Sequence, residues 1–274
     1  MPFTMTRDAT SIYVKQWGEG RPVVLVHGWP LSADTWDPVG LALAQNGYRA
    51  IAYDRRGFGR SDQPWGGYDY DTLSDDLADV MKACNVTENA TLVGFSMGGG
   101  EVARYMSRHG GRGLVSAALV SSIVPFLART SDNPHGVPQS VLDEMGDGIR
   151  TDRADFIQSF IEDFYGIGML SSPVSEAVLE DSWRQCMQAG LWPTLACAKA
   201  FSATDFRSEL PAFRVPTLII HGTGDKTVPI EASARPAAKG IAASRLIEYE
   251  DGPHGLFASH TKRLVGDLLS HLKG

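Results

Sequence analysis

The chain has 274 residues, 43% hydrophobic and 21% charged, with 25 basic against 32 acidic residues for a formal net charge of −7. That length supports one large α/β domain or two small ones, and an acidic chain without a basic cluster is a poor match for nucleic acid or an anionic membrane. Cys84, Cys186 and Cys197 are odd in number and fit no zinc or C-x-x-C spacing, and neither a signal-like leader nor a run of membrane-span length is visible. The expectation is a cytoplasmic protein with free thiols and no metal or other cofactor.

Ser11–Trp17 alternates as a first strand, and Pro22–His27 is a near-continuous apolar run, as in a strand buried on both faces of a parallel sheet. Ser32 is placed to cap a helix over 33–46, and Arg49–Tyr53 is a strand. The loop Asp54-Arg55-Arg56-Gly57-Phe58-Gly59-Arg60-Ser61 follows, with Asp54 expected to tie down its own loop through Arg55 or Arg56. A helix spans Tyr70–Cys84, with Leu73, Leu77, Val80 and Met81 on one face. The strand Ala90–Val93 then runs into Gly94-Phe95-Ser96-Met97-Gly98, a helix continues over Gly99–His109, and Leu114–Ser121 is another buried strand.

From about Ser122 to Phe213 no buried strand is evident. Helical segments are expected near Gln139–Met145, Arg153–Phe164, Val174–Ala189 and Pro193–Ser202, with Asp132–Arg153 irregular and acidic. Strand rhythm returns at Val215–Gly222. A short helix near Ile230–Ala238, a strand at Arg245–Tyr249 and a helix near Leu264–Leu272 close the chain. The alternation predicts an α/β fold, a doubly wound, mostly parallel sheet. Residues 1–121 and 214–274 form its core, and a helical cap, 122–213, is inserted over it.

Strand, sharp turn and helix around Gly94-x-Ser96-x-Gly98 form a nucleophile elbow, whose tight turn requires small neighbours beside the serine. A serine hydroxyl needs a base, and the base needs an orienting acid. Asp225 follows the strand ending at Gly222 and His254 follows the one ending at Tyr249, so both belong to the sheet edge that carries Ser96. Ser96, Asp225, His254 is also the chain order of an α/β-hydrolase. Among the rivals, His27 and His221 end buried strands. His109, His135, His260 and His271 sit on helix ends, loops or the C-terminal segment. Asp251 would need a tight turn to meet His254. Two N–H donors must receive a developing oxyanion, and the backbone groups of Met97 and Trp29 are the candidates, since Pro30 has none. Gly98-x-Gly100-x-x-Ala103 formally fits a dinucleotide fingerprint, but it lies inside the elbow and no acid stands about twenty positions on.

His27-Gly28-Trp29-Pro30, Asp54–Ser61, Gly94-Phe95-Ser96-Met97-Gly98-Gly99-Gly100-Glu101, His221-Gly222-Thr223-Gly224-Asp225 and Pro253-His254-Gly255 occur in this order. On these motifs the chain resembles the bacterial aryl esterases and cofactor-free (non-haem) haloperoxidases, or perhydrolases, over nearly its whole length. The resemblance implies hydrolysis of small esters through an acyl-Ser96 intermediate, with hydrogen peroxide able to replace water and yield a peracid. It also implies a pocket lined by Phe160, Phe164, Thr227 and Val228, with Ile123 and Pro125 at the sheet edge. Pro30 goes with stronger perhydrolysis, and the assembly implied is a homo-oligomer. A lactonase or lactamase with the same triad, and a ligand receptor of the same fold, are the alternatives. Ser96 argues against a haloalkane dehalogenase or epoxide hydrolase, which carry aspartate at the elbow.

Overall fold

A computed structural model describes residues 2–168 and 172–274. Among them the strands are β1 (Phe3–Met5), β2 (Ser11–Trp17), β3 (Arg21–Val26), β4 (Tyr48–Tyr53), β5 (Ala90–Phe95), β6 (Leu114–Val120), β7 (Thr217–Gly222) and β8 (Ser244–Tyr249). They form one sheet in the order β1-β2-β4-β3-β5-β6-β7-β8. The pairs β1–β2 and β2–β4 are antiparallel and all others parallel. Strand β1 is the one strand missed by the sequence reading. It is three residues long with exposed Phe3 and Met5, too short to show a period.

The central strands are buried and largely apolar because both faces are covered. In β3, Val24 and Val26 join one core with Leu73, Leu77, Val102 and Met106. Val23 and Leu25 join the other, with Val39, Leu43, Leu264 and Leu268. The covering helices are α2 (Tyr70–Ala83) and α3 (Met97–Arg108) on the first face, and α1 (Asp37–Gln45) and α9 (Thr261–Leu272) on the second. Leu264, Leu268 and Leu272 recur every four residues on α9, and each such buried leucine contributes about 2 kcal/mol.

Several expected boundaries shift for local reasons. The helix anticipated over 33–46 is a 3₁₀ turn, Ala33–Trp36, capped by Ser32, followed by α1, whose Pro38 sits in the first turn where no N–H is needed. Between β6 and β7 lie α4 (Gln139–Phe164), α5 (Glu176–Gln188) and α6 (Leu191–Ala203). The helices expected near Gln139–Met145 and Arg153–Phe164 are one element, and the irregular stretch expected between them is helical. Asp152 alone leaves helical geometry (φ −150°, ψ 90°), and its carboxylate accepts from the N–H groups of Ala154 and Asp155 at 3.1 Å. One element is thus kinked at its own internal cap. Further on, α7 (Ala234–Gly240) starts four residues later than expected, and a short helix, α8 (Leu256–Ser259), precedes α9. Among the described residues no helix is long and apolar enough to cross a membrane.

Candidate active site

Ser96 stands between β5 and α3 at φ 52°, ψ −120°, a conformation forced by reversing from strand to helix within one residue. The turn closes only because its neighbours are bare. A Cβ on Gly94 would lie 2.6 Å from the Gly98 carbonyl oxygen, and one on Gly98 would lie 2.5 Å from that of Val26. Helix α3 begins at Met97, two residues earlier than the sequence suggests, so its N-terminus lies directly behind the serine.

The loops after β7 and β8 bring the expected partners together. Ser96 Oγ lies 2.9 Å from His254 Nε2, and His254 Nδ1 donates to Asp225 Oδ2 at 2.6 Å. The other carboxylate oxygen, Oδ1, accepts from the N–H groups of Thr227 (3.0 Å) and Val228 (2.8 Å). All three side chains are buried. Burial opposes the charge on Asp225, but His254 and His221 more than offset it and hold the carboxyl well below its ordinary range. His221 Nε2 sits 3.2 Å from Asp225 Oδ2 and 2.9 Å from the Val228 carbonyl, so this histidine braces the acid and stands apart from the serine. Asp251 is exposed and meets Thr223 through its backbone. The aromatic rings of Phe95 and Phe164 pack on the His254 imidazole, at 5.1 and 4.9 Å between centroids.

The loop after β3 is fixed from below. Arg55 N–H donates to His27 Nε2 at 2.9 Å, which leaves Nδ1 as the donor to the Gly28 carbonyl at 2.8 Å. Burial and the adjacent Arg55 charge push His27 well below the ordinary imidazole value, so it stays neutral and tied to this loop. Among the described residues, the N–H groups of Trp29 and Met97 have no hydrogen-bond acceptor. The expected partners of Asp54 are corrected. Its carboxylate receives Arg60 and the Ala33 N–H, while Arg55 pairs with Glu101 and Arg56 with Asp76 and Asp8. Sequence adjacency suggested Arg55 or Arg56, but both side chains turn inward, away from Asp54.

Above Ser96 and His254 opens a cavity of about 450 Å³. Its floor includes Trp29, Met97 and Ile123. Thr227 and Val228 form one side. Its roof is apolar, made by Leu142, Met145, Phe156 and Phe160 from α4 and Phe201 from α6, while Glu144, Asp163 and Lys226 supply charge at the wall. The Trp29 indole donates to the Thr194 carbonyl at 2.9 Å and meets Phe160 and Phe201 edge to face, which joins the loop after β3 to the helices above. The glycines of the formal dinucleotide pattern are packed: a Cβ on Gly98 would meet the Val26 carbonyl, and one on Gly100 the Tyr70 and Phe206 rings.

A family model described as the alpha/beta hydrolase fold matches residues 21–261. The chain belongs to the α/β-hydrolase family. It is 42% identical over 256 residues to a non-heme chloroperoxidase of Kitasatospora aureofaciens, covering 93% of each chain. It is 38% identical, over the full length of both chains, to a bifunctional esterase/perhydrolase of Acinetobacter calcoaceticus. The crystal structure of a bromoperoxidase from Bacillus anthracis superposes with a TM-score of 0.95 at 41% identity, covering 99% of this chain and 100% of that one.

For this α/β-hydrolase the expected pocket is gathered in part. Ile123, Phe160, Thr227 and Val228 line the cavity together with Trp29 and Met97. Phe164 does not: it is buried behind His254, against Tyr165 and Phe257. Pro125 also lies outside the wall, its carbonyl accepting from Phe206 N–H at 2.8 Å, and Pro30 is buried next to Trp29 without reaching the cavity. The sequence reading missed Leu142, Met145 and Phe156. Leu142, Met145 and Ile149 recur at helical spacing, a signal obscured by Gly146 and Gly148 and the acidic residues around them.

Proposed function

We propose that this α/β-hydrolase is a serine carboxylesterase for small acyl or aryl esters, with perhydrolase activity when hydrogen peroxide is present. The observation that carries the reading is the hydrogen-bonded series Asp225, His254, Ser96 opening into an apolar cavity. The names of the relatives, chloroperoxidase and esterase/perhydrolase, support both halves of it.

In this reading His254 Nε2 takes the proton as Ser96 Oγ attacks the ester carbonyl. Asp225 orients the imidazole and offsets the charge it gains. The carbonyl oxygen, now negative, accepts from the Met97 and Trp29 N–H groups at the start of α3 and in the loop after β3. His254 returns its proton to the leaving alcohol, and the acyl group stays on Ser96. Water, deprotonated by His254, then releases the acid; hydrogen peroxide in its place releases a peracid, which can oxidise halide in solution. Residues 1–121 and 214–274 act as the core and 122–213 as the cap that roofs the acyl site. Pro30 is assigned to peroxide selectivity by the resemblance, through the backbone beside Trp29.

The reading extends to a homo-oligomer, supported by the exposed side chains of Trp65, Leu191 and Trp192, and to a reducing cytoplasm, supported by three unpaired, buried cysteines.

The test is turnover of p-nitrophenyl acetate, butyrate and octanoate by the wild type and Ser96→Ala, with and without hydrogen peroxide. Rapid turnover that the substitution abolishes, and peracid formation in the peroxide series, are expected. Full activity in Ser96→Ala would overturn the reading, and a single turnover per chain would favour a ligand receptor.

A further inference from the structure

A fully buried ion pair lies directly beneath the candidate site. Glu101, on the second turn of α3, is completely inaccessible, and so, nearly, is Arg55. Arg55 Nε donates to Glu101 Oε1 at 2.5 Å and the Tyr53 hydroxyl donates to Oε2 at 2.6 Å, so both carboxylate oxygens are engaged. Pairs of this kind are weak devices for stability, because the desolvation of two charges consumes most of their attraction. What this pair holds is therefore informative.

The same Arg55 also grips the loop after β3. Its Nη2 donates to the His27 carbonyl at 2.6 Å, and its backbone N–H donates to His27 Nε2. The His27 ring passes the constraint on, because Nδ1–H holds the Gly28 carbonyl. In a planar trans peptide that carbonyl and the Trp29 N–H point in opposite directions, so fixing one aims the other. From the opposite side, Glu101 belongs to the helix whose first N–H is that of Met97, and the Tyr70 hydroxyl donates to the Met97 carbonyl at 3.2 Å. One carboxylate–guanidinium contact thus joins the two backbone segments that carry the free N–H groups of Trp29 and Met97.

We propose that Glu101 and Arg55 are positioning residues that lock these two oxyanion donors at a fixed separation. They touch no substrate and act only through backbone. The inference rests on the oxyanion assignment made above. Two donors on separate loops act together only if their spacing is set before the charge forms, and a displacement of about 1 Å costs on the order of a hundredfold in rate.

The experiment compares Glu101→Gln with wild type by kcat and KM on p-nitrophenyl butyrate, and by inhibition with an aryl trifluoromethyl ketone. That ketone adds to Ser96 Oγ and places an oxyanion between the donors. Expected is a loss of about tenfold or more in kcat with KM within about twofold, and an equal loss in ketone affinity. Tyr53→Phe, which removes one hydrogen bond to the same carboxylate and keeps its volume, should show a smaller loss in the same direction. It carries the test if Glu101→Gln fails to fold. Ketone affinity unchanged in a folded variant would overturn the proposal and leave the pair a packing feature. Ser96→Ala separates the two readings: wild-type ketone binding that does not depend on Ser96 would overturn the triad assignment, and this inference with it.

Discussion

At the scale of single residues, the site is governed by how Asp225 is held. Two backbone N–H groups, His254 and His221 all face one buried carboxylate, and the histidines hold it ionised well below the usual carboxylate range. A carboxylate depressed in the folded state stabilises the protein above its unfolded pKa and loses that contribution as pH falls through the folded value. Asp225→Asn should therefore be less stable than wild type near pH 7, with the difference shrinking as pH drops below about 4. Urea denaturation at a series of pH values checks this, and a difference independent of pH would mean that the carboxylate charge is not what stabilises. Ser96, Asp225 and His254 were legible in the sequence because each is announced by a strand end. The partners of Asp54 were not, since which way an arginine turns at the end of a strand depends on contacts made elsewhere in the chain, here Glu101 for Arg55 and Asp76 for Arg56.

Among the elements, the sheet was readable and the roof was not. Buried strands such as β3 and β5 leave nearly continuous apolar runs, and α2 carries a clear stripe of Leu73, Leu77 and Val80. Helix α4 carries no such clean mark. Its first half holds Gly146 and Gly148 and buries Leu142 and Ile149 alone, with Met145 partly buried, yet it supplies much of the cavity roof. That dependence predicts that α4 sets acyl length. Leu142→Trp should fill the upper cavity and lower kcat/KM for p-nitrophenyl octanoate by about tenfold or more relative to acetate, read from the ester series. An equal loss for both esters would put the acyl chain elsewhere and assign this wall to the leaving alcohol.

The whole molecule is a sheet covered on both faces, with α4, α5 and α6 tied across one edge of it. The ties are long-range: Gly190 N–H to the Gly57 carbonyl at 2.9 Å, Trp192 indole to the Trp65 carbonyl at 2.6 Å, and those two rings stacked 4.7 Å apart. Contacts between positions so far apart leave no period in a sequence, so helices between β6 and β7 could be read from its composition but their seating could not. That seating places two thioethers, Met97 and Met145, in the wall around Ser96, whereas Cys186 and Cys197 are sealed in the interior, the latter with its thiol pushed by burial up to about 12. A peracid formed at Ser96 is released within the wall that holds these methionines, and can pass one oxygen atom to a sulfur as it reverts to the acid. Catalysis in peroxide is then expected to wear out the catalyst, with mass spectrometry finding sulfoxide at Met97 and Met145 and intact cysteines as activity decays. Met145→Leu should extend the number of turnovers before inactivation. Decay at an unchanged rate in that variant would place the first lesion at Met97 or outside the cavity. The working life of the protein is thus written into the same wall that selects its substrate.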